Sequence, residues 1–182
     1  MLVDAAWRTR SRLAVDLTPI FYFQLAPLAA GMPDWTPTAA EIAGRETEAA
    51  KRVARLIRVE GDPPIPGQLL FPIQLRFESQ STGQDVNFPD WQSFSAMTDL
   101  FDWLREGEDG SGWFDCGQGW LFEAALCREQ LHFLRQASDQ GDELANVSVS
   151  RAAFLQRLDA AEGEARLTFA RLQAEALGLY AS

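Results

Sequence analysis

The chain has 182 residues, 47% hydrophobic and 23% charged, the proportions of one folded globular domain and not of a disordered chain, a repeat array or a membrane protein. Its 26 Asp and Glu against 16 Lys and Arg give a formal charge of −10, which disfavours a nucleic-acid footprint or an anionic membrane surface as partner. Cys116, Cys127 and His132 are too few for the common zinc ligand sets and build no disulfide framework, so a reduced, cytoplasmic protein without metal or cofactor is expected.

Arg8, Arg10 and Arg12 precede an apolar stretch over 19–30 that superficially imitates a secretory signal, but Asp16 and two prolines spoil the pattern. The stretch also falls short of the ~20 residues of a membrane span. Residues 12–26 read as a strand with a break: Leu13, Val15 and Leu17 alternate with smaller or polar residues, Pro19 interrupts, and 20–24 is dense in β-branched and aromatic residues. Pro33 and Pro37 mark a loop, after which Thr38 and Glu41 have capping-box spacing and open a helix expected to reach about Arg58. Its buried stripe is Ile42, Ala49, Val53, Leu56 and Ile57. Glu41, Glu46 and Glu48 stand toward its start and Lys51, Arg52, Arg55 and Arg58 toward its end, as the helix dipole favours.

A glycine- and proline-rich loop over 61–67 leads to the clearest strand, where Leu69, Phe71, Ile73, Leu75 and Phe77 alternate with Pro72, Gln74, Arg76 and Glu78. Pro72 cannot donate a ladder hydrogen bond, so this strand is expected at a sheet edge or with a bulge. Met97, Leu100, Phe101 and Leu104 then occupy i, i+3, i+4 and i+7 of a short helix over 96–106, with Asp99, Asp102 and Glu106 on the opposite side. A glycine-rich loop over 107–119 precedes an antiparallel meander of three strands over 120–126, 131–136 and 144–149, with turns at 127–130 and 138–143. Ser150 is positioned to cap a long final helix to about Gly178, its stripe being Phe154, Leu158, Ala165, Phe169, Leu172 and Ala176 and its weak point Gly163.

The fold expected from these elements is α+β: a mainly antiparallel sheet of about five or six strands, with the long C-terminal helix and the helix over 38–58 packed on one face and the helix over 96–106 at the periphery. The whole formal charge belongs to the middle third. Residues 1–83 hold nine acids and nine bases, 146–182 hold four of each, and 84–145 hold 13 acids against Arg105, Arg128 and Arg135. That segment also carries half of the 20 aromatic residues. Either the acids form a solvated helix face and decorate turns while the aromatics are core, or the segment is an acidic surface with a tryptophan anchor for a basic partner. The second reading selects Asp99, Asp102, Trp103, Glu106, Glu108, Asp109, Trp113 and Asp115 as partner-binding residues.

Catalytic motifs are missing. His132 is the sole imidazole and sits mid-strand, where a structural role is expected. Cys116 could pair with it only in principle, because Gly117 and Gly119 beside the cysteine read as turn glycines. Residues 117–120 lack the third glycine of a dinucleotide fingerprint, and neither a phosphate-binding loop nor a Gly-x-Ser-x-Gly elbow occurs. Asp99 and Asp102 share a helix face with Glu106, Glu108 and Asp109 just beyond, but the spacing does not match a calcium loop. Asn146, Val147 and Ser148 match a glycosylation acceptor inside an expected strand, a chance occurrence in a cytoplasmic protein.

The C-terminal half, "GWLFEAALCREQLHFLRQ", the acidic turn "SDQGDE" and "LANVSVSRAAFLQRLDAAEGEARL", resembles small bacterial immunity proteins of polymorphic-toxin systems, in which a short meander ends in a break and a long terminal helix. The likeness spans about 113–172 and lies in patterning and in words such as "NVSVSRAAF". It implies a stoichiometric binder of a cognate protein toxin and brings no catalytic residues. The expectation is therefore a non-catalytic, immunity-type inhibitor that meets a basic toxin through its acidic middle third. The alternatives are a carboxylate- or metal-dependent enzyme and an adaptor that self-associates through its C-terminal helix.

Overall fold

A computed structural model describes residues 13–60, 71–79, 85–91, 94–117, 120–138 and 147–181. The fold is α+β, with a long C-terminal helix as expected. Its strands are β1 (Leu13–Ala14), β2 (Leu17–Phe23), β3 (Ile73–Ser79), β4 (Asp85–Trp91), β5 (Gly112–Gly117), β6 (Trp120–Cys127), β7 (Gln130–Ser138) and β8 (Val147–Ser150). Its helices are α1 (Ala39–Ile42), α2 (Glu46–Glu60), α3 (Thr98–Glu106) and α4 (Arg151–Ala181). The strands divide between a five-stranded sheet, β1-β8-β7-β6-β5, and a three-stranded sheet, β2-β3-β4. The larger sheet is antiparallel except where β1 runs parallel to β8.

Contacts gather the chain into two compact units, 1–19 with 76–89 and 97–159, and 20–75 with 90–96 and 160–182. In the first unit the core is aromatic. Phe77 of β3, Phe133 of β7 and Phe154 of α4 are buried, with ring centroids 5.4 Å (77–133), 4.8 Å (77–154) and 6.0 Å (133–154) apart. The meander holds its expected place, and its first turn is the two residues Arg128 and Glu129, with Arg128 at φ 55°. Its second expected turn, over 138–143, lies almost wholly outside the described residues.

In the second unit, β2 gives way to a returning segment that bridges Tyr22 to Thr38 and Leu25 to Trp35. Arg52 is 5% exposed; its guanidinium donates to the Ala26 carbonyl at 3.1 Å, pairs with Glu48 at 3.2 Å and lies 5.4 Å from the Trp35 ring centroid. Arg45 approaches that ring to 4.0 Å and also binds Glu48. Hydrogen bonding from Arg45, reinforced by Arg52, holds the Glu48 carboxyl below its ordinary value of 4.5. A lowered folded-state value contributes stability above the unfolded-state value that is lost as pH falls through the folded one. Melting measured from pH 6 down to pH 3 is therefore expected to fall less steeply for Glu48→Gln than for the parent; parallel curves would remove Glu48 from the acid response.

Five features differ from expectation. The helix expected over 38–58 is two helices: the capping box at Thr38 and Glu41 is formed, but it caps only α1, because Ala43 leaves the helix and Gly44 takes φ +80°. Glycine enters that left-handed region without the Cβ clash other residues meet. In the N-terminal strand region the interruption falls at Val15 and Asp16, and Pro19 lies within β2, an edge strand where its missing N–H is tolerated. Pro72 precedes β3, which is the central strand of its sheet and not an edge, so no ladder donor is lost there. The loop expected over 107–119 contains β5, and β4 occupies a stretch that showed no alternation. Leu69 and the loop over 61–67 lie outside the described residues.

Candidate functional site

The acidic helix α3 follows a 3-10 turn at Phe94–Met97. Met97, Leu100, Phe101 and Leu104 are buried, and the period that buries them leaves Asp99, Asp102 and Glu106 exposed. The C-terminus is held from outside the helix: the Arg151 guanidinium donates to the carbonyls of Leu104 at 3.0 Å and Arg105 at 2.8 Å. These are two of the carbonyls a helix end leaves without an internal partner. Gly107 closes the helix through its N–H to the Trp103 carbonyl at 2.9 Å, and a Cβ there would press on that same carbonyl oxygen as well as on Leu126 Cδ1, so a side chain at 107 would force the end of α3 to shift.

The following turn is sewn to β6. Gly110, at φ +81°, donates to the Leu126 carbonyl at 2.8 Å, and Leu126 donates to the Ser111 carbonyl at 2.9 Å. Ser111 Oγ accepts from Trp103 Nε1 at 3.1 Å, and the Trp103 and Trp113 rings lie 5.9 Å apart at 43°. Both tryptophans are half-buried. Glu108 and Asp109 are exposed, and the Asp109 carboxylate accepts from the backbone N–H of Arg128 on the β6–β7 turn.

The structure thus places Asp99, Asp102 and Glu106 on one exposed helix face, Glu108 and Asp109 on the turn that follows, and Trp103 against Trp113. Asp109 also ties that turn to the hairpin. Asp115 lies on β5 opposite Phe122, and its side chain is outside the described residues. Sequence reasoning did not reach Arg151, Ser111 or Arg128; each acts through a partner 8 to 47 positions away, which leaves no local signal. Arg105, counted as one of three cations of the middle third, is engaged by Asp159 at 2.8 Å.

No match to this chain is found among protein-family models, curated proteins or solved structures. Its chemistry is therefore read from the residues alone. Cys116 and His132 do not form a nucleophile–base pair: Cys116 faces Leu121, which faces Ala137, whereas His132 faces Ala125. That register separates their backbones by two strands and several residues, on the order of 15 Å or more. His132 is buried between Ala125 and Ser148 of the neighbouring strands. Among the described residues no group of three or more His, Cys, Asp and Glu side chains converges to hold a metal ion, and no helix is long and apolar enough to cross a membrane. Exposed carboxylates fanned along a helix, flanked by an aromatic pair, can attract and seat a cationic surface.

Proposed function

We propose that the protein is a non-catalytic, immunity-type inhibitor that binds a basic protein toxin in the cytoplasm on the acidic face of α3 and blocks it sterically. One observation carries the reading: Asp99, Asp102, Glu106, Glu108 and Asp109 are all exposed, beside the half-buried Trp103 and Trp113. Carboxylates on an exposed face steer a cationic partner into contact, while a partly covered tryptophan is the kind of side chain that supplies the affinity at the centre of an interface. The likeness of the C-terminal half to immunity proteins supports the same class, and the formal charge of −10 disfavours nucleic acid as the partner.

The test begins with affinity capture at low salt from a lysate of the organism that encodes the chain, followed by mass spectrometry and titration with the purified partner. A single stoichiometric, basic protein whose activity stops on binding is the expected result. Changing Asp99, Asp102 and Glu106 together to lysine is expected to weaken that complex about 100-fold at low salt, an effect that shrinks as salt screens charges beyond about 8 Å at physiological ionic strength. Because these side chains are solvent-facing, melting should stay within about 0.5 kcal/mol of the parent. Equal affinity of parent and variant removes the α3 face from the account.

A further inference from the structure

A different surface, in the second unit, carries an inference of its own. Along α4, Ala160, Glu164, Leu167, Arg171 and Ala174 are all exposed, and Leu167 is 63% exposed. Their 4-3-4-3 spacing confines them to an arc of about 80° on the helix, opposite the side that buries Ala165, Phe169, Leu172 and Ala176. Beside Leu167 opens a cleft of about 150 Å³, floored by Ile42, Ala39 and Leu172 and rimmed by Thr168, Glu46 and Arg171. A space of that size accepts one group about as large as benzene, such as an aliphatic side chain.

The charges on this stripe are ordered for self-pairing. Glu164 and Arg171 stand at equal distances on either side of the midpoint between Leu167 and Thr168. Laid antiparallel on a copy of itself about that midpoint, the helix sets each Glu164 against the other copy's Arg171 and each Leu167 against the other's Thr168 at the mouth of the cleft. The two charges are seven residues apart, about 10.5 Å along one helix, and cannot pair with each other within it; Arg171 also feels Glu46 on the rim of the same cleft, so in the contact it would be shared between Glu46 and the other copy's Glu164. We infer that the protein forms a two-fold dimer through this stripe of α4, with Leu167 of each copy seated in the cleft of the other and two Glu164–Arg171 pairs flanking the contact. Such an interface is isologous, the same patch serving both copies. It uses none of the residues of the α3 face, so it stands or falls apart from the inhibitor reading.

Sedimentation velocity of the full chain, from about 1 μM to about 1 mM, tests it. The expected result is a shift from monomer to dimer mass that Leu167→Asp abolishes without altering the circular dichroism spectrum. Glu164→Arg alone places arginine against arginine, and Arg171→Glu alone places glutamate against glutamate, so each variant should dimerise at least tenfold more weakly. Mixing the two variants re-forms both opposite-charge pairs, and a heterodimer is expected from chains that separately stay monomeric. A monomer throughout, a dimer indifferent to Leu167→Asp, or a mixture no more associated than its components overturns the proposal.

Discussion

Truncating Phe154 to alanine is expected to lower the unfolding free energy by about 3–5 kcal/mol, the range for a large aromatic removed from a packed core. Phe154 is fully buried at the start of α4, meeting Phe77 edge-on at 4.8 Å and Phe133 at 6.0 Å. The loss therefore adds the edge-to-face attraction of about 0.5–1.5 kcal/mol per pair to the cavity left behind. At about 2–4 °C per kcal/mol for a chain of this length, the melting temperature should fall by on the order of 10 °C. Phe154→Leu fills most of the volume and should recover more than half of the loss. A drop of only 1–2 °C for the alanine variant would mean that the three rings do not form the centre of the first unit's core.

Arg151→Ala is the second large effect, and it ties stability to the candidate site. Its guanidinium spans two adjacent carbonyls at the end of α3, a bidentate arrangement at the negative end of the helix dipole. Removing it leaves both acceptors without their charged donor, at an expected cost of about 2–3 kcal/mol. Lysine at this position carries the charge but not the fork, so Arg151→Lys should recover less than half. The last turn of α3 presents Glu106 and leads to Glu108 and Asp109, so a frayed end should also weaken a complex formed on this face. Asp159→Asn, which removes the exposed partner of Arg105 at 2.8 Å, should change stability by less than about 1 kcal/mol. Equal melting of the Arg151→Ala and Asp159→Asn chains would show that the carbonyl cap carries no special weight.

The acidic half of the candidate site was legible in the chain before folding, because a helix period decides it. Burying Met97, Leu100, Phe101 and Leu104 forces Asp99, Asp102 and Glu106 outward, and no distant residue can reverse that. The aromatic half was legible only as composition. Trp113 lay in a stretch whose glycines read as loop, and the ladder β5 makes with β6 turns that stretch into a strand and sets Trp113 beside Trp103.

By itself the sequence determined what a short window of period 2 or 3.6 can carry: α3, the meander of β6 to β8, the alternation of β3, and the stripe of α4 from Phe154 to Ala176. Each of those depends only on which neighbours must be hidden from water. The tertiary structure alone decided that the strands divide into two sheets, that Pro72 stands ahead of a central strand, and that Arg151 closes a helix 46 and 47 residues upstream. It also decided whether a glycine-bearing stretch becomes loop or strand, since a glycine such as Gly112 takes either conformation and the bonds of its partner strand settle which. Pairing partners, edges and carbonyl caps join residues far apart in the chain, and their free energy appears only once loop closure has brought those residues together.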